Sequence, residues 1–264
     1  MILVKKIPVK PNFNLIPEQL HSYFGSSRVY DSSCSPEARV LYIEKDCGYY
    51  LKSAPKSSLA IEAKMSEFFA AKGIGPHVIA YLSLERDWLL TARVAGEDLT
   101  HPIYLDDPKR LCDVFAERLR YLHSLDTAGC PVPDRMSAYL RTVDDNFRTG
   151  NYDKTAFPDS FGYASAEEAA AVVSEGRSLL RSDTLIHGDY CLPNIMFDNW
   201  RFTGFIDLGN GGVGDRHVDL FWGTWTLWFN LKTNAYYDRF LDAYGRDAVD
   251  SEKIKIIAAC EIFG

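Results

Sequence analysis

Two short apolar runs, residues 194–197 and 202–206, flank a polar stretch that contains Asp198 and Asn199. Runs of this length around an Asp/Asn turn form a β-hairpin. The hairpin constrains the fold because polar residues crowd its open end. His187, Gly188 and Asp189 precede it, Pro193 forbids a helix running into it, and Asp207 follows it. A hairpin sets its two open ends side by side, so Asn194 and Asp207, thirteen positions apart, are expected to meet. Asp189, in a tight loop just upstream, is expected to complete a cluster of three oxygen-bearing side chains.

Elsewhere the pattern changes once along the chain. Residues 38–44 and 49–52 are β-rich and flank the turn Lys45-Asp46-Cys47-Gly48. Over residues 58–72, Leu59, Ala63, Phe69 and Ala70 recur among charges at helical spacing, and Gly73 and Gly75-Pro76 end the helix. Residues 78–84 and 88–92 read as another strand pair. After Gly96, residues 108–125 carry Leu111, Val114, Phe115, Leu119 and Leu122 on one stripe of an amphipathic helix. Residues 136–180 are charged and helical, with breaks at Gly150, Pro158 and Gly162. Trp222, Trp225 and Trp228 recur at helical spacing and are expected in the helical core. The change at residues 93–96 predicts an α+β chain, with a β-rich unit over 1–92 and a helical unit over 93–264.

Composition narrows the function. With 47% hydrophobic and 25% charged residues the chain has the balance of a folded protein. No apolar run approaches the roughly 20 residues of a membrane helix. The start has its apolar residues ahead of its charges and no cleavage site, so no secretory signal is read and a cytoplasmic location is expected. The six cysteines are scattered without a C-x-x-C pair, which excludes metal-site or disulfide spacing. A net charge of −7 argues against a nucleic-acid partner and is compatible with a cationic one.

An oxygen cluster suits a hard cation. Magnesium takes oxygen ligands and is usually shared with substrate phosphates, so one carboxylate and one amide oxygen suffice. Asn194 and Asp207 supply that pair, and Asp189 is then left to orient or accept a hydroxyl proton. Phosphoryl transfer needs these parts, together with a cation on the nucleotide phosphates. Lys52, at the end of an apolar β run, is costly to bury without a partner, and Glu62 on the following helix offers one.

His187-Gly188-Asp189, with Asn194 five residues after the aspartate, and Ile206-Asp207-Leu208-Gly209 resemble the signature of the aminoglycoside phosphotransferase and choline kinase family. The longer string, with Gly214-Asp215-Arg216 and Asp219-Leu220, is similar to the aminoglycoside 3′-phosphotransferases in particular. The likeness extends to residues 119–131, which include Leu122-His123-Ser124-Leu125-Asp126, and to Glu261-Ile262-Phe263.

The resemblance implies a bilobed protein-kinase-like fold, with a small β-rich N-terminal lobe and a larger, mostly helical C-terminal lobe. It implies ATP and Mg2+ as cofactors, Asp189 as the catalytic carboxylate, and Asn194 and Asp207 on the metal. Lys52 with Glu62 and a loop containing Ser35 would hold the phosphates. Tyr50 would stack on adenine, or else pack in the core, and the backbone of Ala92 and Val94 would meet the adenine edge. His187 would support the loop. The implied acceptor is a cationic small molecule with a hydroxyl, the 3′-hydroxyl of an aminoglycoside antibiotic, and Asp159 and Glu261 would contact it. Departures from the 3′-enzymes fall at Asn210, Trp225, Phe229, Asn230 and Cys260; none touches the phosphate-transfer machinery, and several touch the acceptor side. Alternatives are a kinase for an amino alcohol, sugar or other antibiotic, and a non-catalytic nucleotide-binding module.

Overall fold

Short runs rich in Val, Ile, Leu and Tyr build a six-stranded antiparallel sheet in the first part of the chain. The computed structural model describes residues 6–34, 36–152 and 162–264. Its first strands are β1 (Ile7–Pro8), β2 (Val29–Asp31), β3 (Arg39–Ile43) and β4 (Tyr49–Pro55). Helix α1 (Ala60–Ala71) follows, then β5 (Val78–Ser83), β6 (Arg86–Ala92) and the short β7 (Glu97–Asp98). The spatial order of the sheet is β1-β2-β3-β4-β6-β5.

Successive strand residues face opposite sides of a sheet, and this sheet buries both. Leu51 and Leu90 pack with Ile16, Leu20 and Phe24, whereas Ala54 and Leu89 pack with Leu59 and Ala63. Lys52 shares the face of Ala54, two residues away on β4, and so points to the side that α1 covers. The buried carboxylate of Asp87 fixes where α1 begins. It accepts N–H bonds from Ser57 and Leu59, both at 2.9 Å, and hydroxyl bonds from Tyr81 and Ser83.

The chain then forms α2 (Pro102–Leu105), α3 (Pro108–His123), α4 (Arg135–Thr149), α5 (Ala166–Gly176) and β8 (Thr184–Ile186). Asp107, Asp134 and Ser165 cap α3, α4 and α5, accepting from the N–H groups of Arg110, Ser137 and Glu168. The α3 stripe is buried at Leu111, Phe115, Leu119 and Leu122, with Val114 half-buried at its margin. Next come β9 (Ile195–Asp198) and β10 (Arg201–Phe205), then β11 (Gly212–Gly214), α6 (His217–Leu231), α7 (Tyr237–Tyr244) and α8 (Ser251–Cys260). Strand β11 pairs with β8.

The α+β class expected from the sequence is the class observed. Two compact units result, one of Met1–Thr100 with Ile195–Gly209, the other of His101–Asn194 with Asn210–Gly264. This differs from a cut at 92/93. Strand β7 pairs with β9, so the residues just past 93 and the distant hairpin both join the β-rich unit. A contact made across a hundred residues leaves no local trace in composition.

The hairpin is present, with its turn one residue later than expected. Asn199 and Trp200 form the two-residue loop with φ of +50° and +67°, and Asp198 instead pairs with Arg201. The tryptophans depart from expectation more sharply. Trp222 and Trp225 are half-buried and Trp228 is 38% exposed, because the core face of α6 is taken by Leu220, Gly223, Thr224 and Leu227. No described helix is long and apolar enough to cross a membrane.

Gly96 joins the sheet to the hairpin. Its φ is +90°, and a Cβ there would stand 2.0 Å from the carbonyl oxygen of Phe197 on β9. Gly96→Ala is expected to destabilise the protein by more than about 1 kcal/mol. At Gly129, φ is +75° but nothing lies within 4 Å of a Cβ, so Gly129→Ala should cost less. Urea midpoints of the two variants against the parent check both statements.

Candidate active site

In the first unit, Lys52 stands between two carboxylates. Its Nζ lies 2.8 Å from Glu62 Oε2 and 2.8 Å from Asp207 Oδ1. The first turn of α1 carries Glu62 over the sheet, and the end of the hairpin carries Asp207, which adopts a left-handed φ of +58° that aspartate tolerates. Burial opposes the charge on Lys52, but Asp207 and Glu62 outweigh it and hold the ammonium well above its ordinary value. Burial raises Glu62 in turn, although Lys52 acts against that. The ammonium has three N–H donors, two of them engaged here, so one remains for a further acceptor.

Tyr50 lies two residues before Lys52 on the same face of β4, half-buried and tilted against Tyr42 at 5.1 Å. Burial pushes its phenol up to about 12. Ala92 and Val94 line a cavity of about 430 Å³ in this unit, beside His77, Arg93, Arg201 and Thr203. The Ala92 N–H is donated to the carbonyl of His77. Ser35 and Asp159 lie outside the described residues.

In the second unit, the loop after β8 is held from beneath. Asp219, in the first turn of α6, has no exposed surface. It accepts the N–H groups of His187 (2.8 Å) and Gly188 (2.7 Å), and His123 Nε2 lies 3.0 Å away. His123 donates there and accepts the Tyr244 hydroxyl at Nδ1, 2.8 Å away. Burial lowers its pKa, which keeps the ring neutral at pH 7. Gly188 follows with φ +81°, and a Cβ would fall 2.0 Å from the carbonyl oxygen of Asn210. Only glycine fits between the buried histidine and the aspartate. His187 is buried, and its Nδ1 faces the Asp189 N–H at 3.3 Å.

The loop presents Asp189 half-buried and braces it with Asn194. The Asn194 amide nitrogen donates to Asp189 Oδ2 at 2.8 Å and to its carbonyl at 3.0 Å. That commits the NH2 end of Asn194 and leaves its amide oxygen as the end for a cation. Tyr190 anchors the loop, stacking on Phe115 at 4.5 Å and donating to that residue's carbonyl at 2.8 Å. Cys191 is buried, and burial pushes its thiol far up, so it packs rather than reacts.

Among the described residues no group of three or more His, Cys, Asp or Glu side chains is placed to hold a metal. In its own unit, Asn194 offers an amide oxygen and Asp207 a carboxylate oxygen, both hard donors of the kind magnesium takes.

A cavity of about 350 Å³ opens at Asp189 and is lined by Arg135, Tyr139, Asn210, Trp222 and Glu261 among others, all from the second unit. The Tyr139 hydroxyl donates to Glu261 Oε1 at 2.6 Å. Burial pushes Glu261 up to about 7, and the Asp189 charge adds to this; hydrogen bonds from Tyr139 and Trp222, with the Arg135 charge, pull the other way. Arg135 and Tyr139 escaped the sequence reading, and their only signal was four-residue spacing, which shares a helix face. His123 and Asp219 stood inside the motif strings, but nothing in the sequence indicated that they bond each other.

A model of the phosphotransferase enzyme family matches residues 36–255. The chain is 48% identical over 254 residues to a protein of Lactococcus lactis subsp. lactis (strain IL1403) named "Probable aminoglycoside 3′-phosphotransferase", covering 96% of this chain and 97% of the other. Among solved structures, an aminoglycoside-3′-phosphotransferase of type VIII superposes with a TM-score of 0.73 at 25% identity, covering 89% of this chain and 91% of that one. An aminoglycoside phosphotransferase from Streptomyces rimosus, crystallised with ADP and streptomycin, has a TM-score of 0.70 at 20% identity over 89% of this chain and 90% of its own, a likeness of fold.

Glu261 should titrate near neutrality in the free protein. Carbon-13 NMR of labelled glutamate is expected to show one side-chain carboxyl with a midpoint near pH 7. Tyr139→Phe removes a hydrogen bond that favours the ionised form, so it should move that midpoint higher. Between the ordinary value of 4.5 and about 7, the folded chain keeps a proton that the unfolded chain has lost. Parent stability should therefore fall across that window relative to Glu261→Gln, as urea titrations at pH 5 and pH 8 would show.

Proposed function

The chain belongs to the phosphotransferase enzyme family, and from that premise we propose that it transfers the γ-phosphate of ATP to the 3′-hydroxyl of an aminoglycoside. The observation that carries this reading is Asp189, braced by Asn194 and opening into a cavity that also holds the Glu261 carboxylate. A hydroxyl that must be aimed, on a molecule bearing ammonium groups, fits those two carboxylates.

In this reading Lys52, held by Glu62, addresses the nucleotide phosphates. Ser35 and its loop add backbone donors, and the backbone of Ala92 and Val94 meets the adenine edge beside Tyr50. Asn194 and Asp207 would hold magnesium, which when bound would supply positive charge to neutralise the phosphate oxygens. Asp189 accepts the hydrogen bond of the acceptor hydroxyl and so turns an oxygen lone pair toward the γ-phosphorus. A bond forms from that oxygen to phosphorus, the bond from phosphorus to the β–γ bridging oxygen breaks, and ADP leaves. The hydroxyl proton passes to Asp189. The transition state is loose, so aiming the oxygen matters more than early removal of the proton. Asp159 and Glu261 meet the acceptor's ammonium groups.

Asp189→Ala is expected to lower kcat by at least ~100-fold while leaving the KM for ATP within a few-fold. Lys52→Ala should change both. Release of ADP with magnesium is the measurement, across kanamycin, a 3′-deoxy aminoglycoside and choline. Turnover of kanamycin but not of the 3′-deoxy compound is the expected result. Turnover of choline alone would move the acceptor to an amino alcohol, and near-normal turnover by Asp189→Ala would sink the role given to that residue.

A further inference from the structure

The cavity proposed to take the acceptor carries a cation of its own. Arg135, the first residue of α4, lines it together with Asp189 and Glu261. Its Nη2 donates to Asn210 Oδ1 at 2.8 Å, and it forms no salt bridge with any described residue. Asn210 is a firm support, because its own backbone carbonyl is seated against Gly188. A guanidinium presents five N–H donors in a planar fork, so most of the fork remains for a ligand. Burial disfavours its charge, with Tyr139 and Glu261 acting in the opposite direction.

A wall built only to attract ammonium groups would not hold a guanidinium beside them. At Arg135 an ammonium finds a like charge and no lone pair to accept the N–H groups. A hydroxyl oxygen there accepts from the fork and leaves nothing unpaired. The cavity therefore presents a guanidinium as well as two carboxylates, and these suit different substituents of one ring. We propose that Arg135 is a specificity-determining residue that selects a hydroxyl, and rejects an ammonium, at one position of the acceptor's amino-sugar ring. This rests on the reading that the cavity binds an aminoglycoside acceptor.

Matched acceptors differing by a single substituent test it. Kanamycin A and kanamycin B carry hydroxyl or amine at the 2′ carbon, and paromomycin and neomycin carry hydroxyl or amine at the 6′ carbon. In the parent enzyme the hydroxyl member of at least one pair should have the higher kcat/KM by about tenfold or more, the scale of a like-charge contact. Arg135→Gln keeps an N–H donor without the charge. It should bring that ratio to within about twofold, by raising kcat/KM for the amine member. Arg135→Lys keeps the charge and should keep the preference. Equal kcat/KM within both pairs in the parent overturns the inference with no variant needed, and so does a preference that survives in Arg135→Gln. Equal turnover of both members leaves the aminoglycoside reading standing. Turnover of none of the four removes that reading and this one together.

Discussion

The buried carboxylate of Asp219 is the interaction on which the second unit's chemistry rests. A carboxylate with no exposed surface is tolerable only when donors surround it, and Asp219 has two backbone N–H groups and one imidazole. It stands in the first turn of α6, where the helix dipole also favours negative charge. Through these bonds one side chain ties α6 to the loop after β8, to α3 through His123 and, beyond it, to α7 through Tyr244. Gly188 can approach the Asn210 backbone because it has no Cβ, and the bond to Asp219 holds its N–H there. Asp189 projects from the next residue, so its position inherits the rigidity of three helices.

The first unit solves a different problem. Its buried charge is a cation, and the constraint is to keep Lys52 protonated and directed while partly buried. One carboxylate would suffice for the charge. Two, arriving from a helix and from the end of a hairpin, also fix direction, because the ammonium must satisfy both at 2.8 Å. Glu62 is nearly buried and committed to the pair. The Asp207 side chain is 50% exposed, with its second oxygen and remaining lone pairs open. The same residue can therefore hold Lys52 and still offer oxygen to a cation, which a fully enclosed pair could not do.

Much of this was legible because it is local. The hairpin, α1, α3 and the strands flanking Gly48 are written in runs and periods, and Lys52 and Glu62 announced each other through the cost of burying a lysine alone. What was hidden depends on which residue lies across a gap. Periodicity shows which face of α4 Arg135 and Tyr139 share, not that Asn210 and Glu261 wait opposite. The tryptophans show the same limit. Each step of three residues turns about 300°, so Trp228 sits roughly 120° around α6 from Trp222. A stripe that wide cannot stay inside when Leu220, Gly223 and Leu227 already occupy the core face. The late turn at Asn199 and Trp200 was missed because a tryptophan with positive φ contradicts ordinary turn chemistry.

The five positions expected from the sequence to depart from the 3′-enzymes, Asn210, Trp225, Phe229, Asn230 and Cys260, have different surroundings in the structure. Trp225 and Phe229 stack on each other at 4.9 Å, nearly parallel, and each satisfies the other's apolar surface. Asn230 turns back to its own helix and donates to the Thr226 carbonyl at 2.8 Å. Cys260 is fully buried, with its thiol pushed up to about 12 by burial, and it supports Glu261 from within the core. Phe229, Asn230 and Cys260 are answered by neighbours, whereas Trp225 Nε1 is buried with no hydrogen-bond partner among the described residues. Asn210 alone lines the cavity, and its side-chain oxygen is taken by Arg135. The positive charge at this wall is therefore that of Arg135, from α4. The loop beneath it is fixed by Asp219 and Gly188 whatever that charge may be. The loop that carries Asp189 is held by buried backbone bonds, whereas the cavity wall beside it is made by side chains such as Arg135.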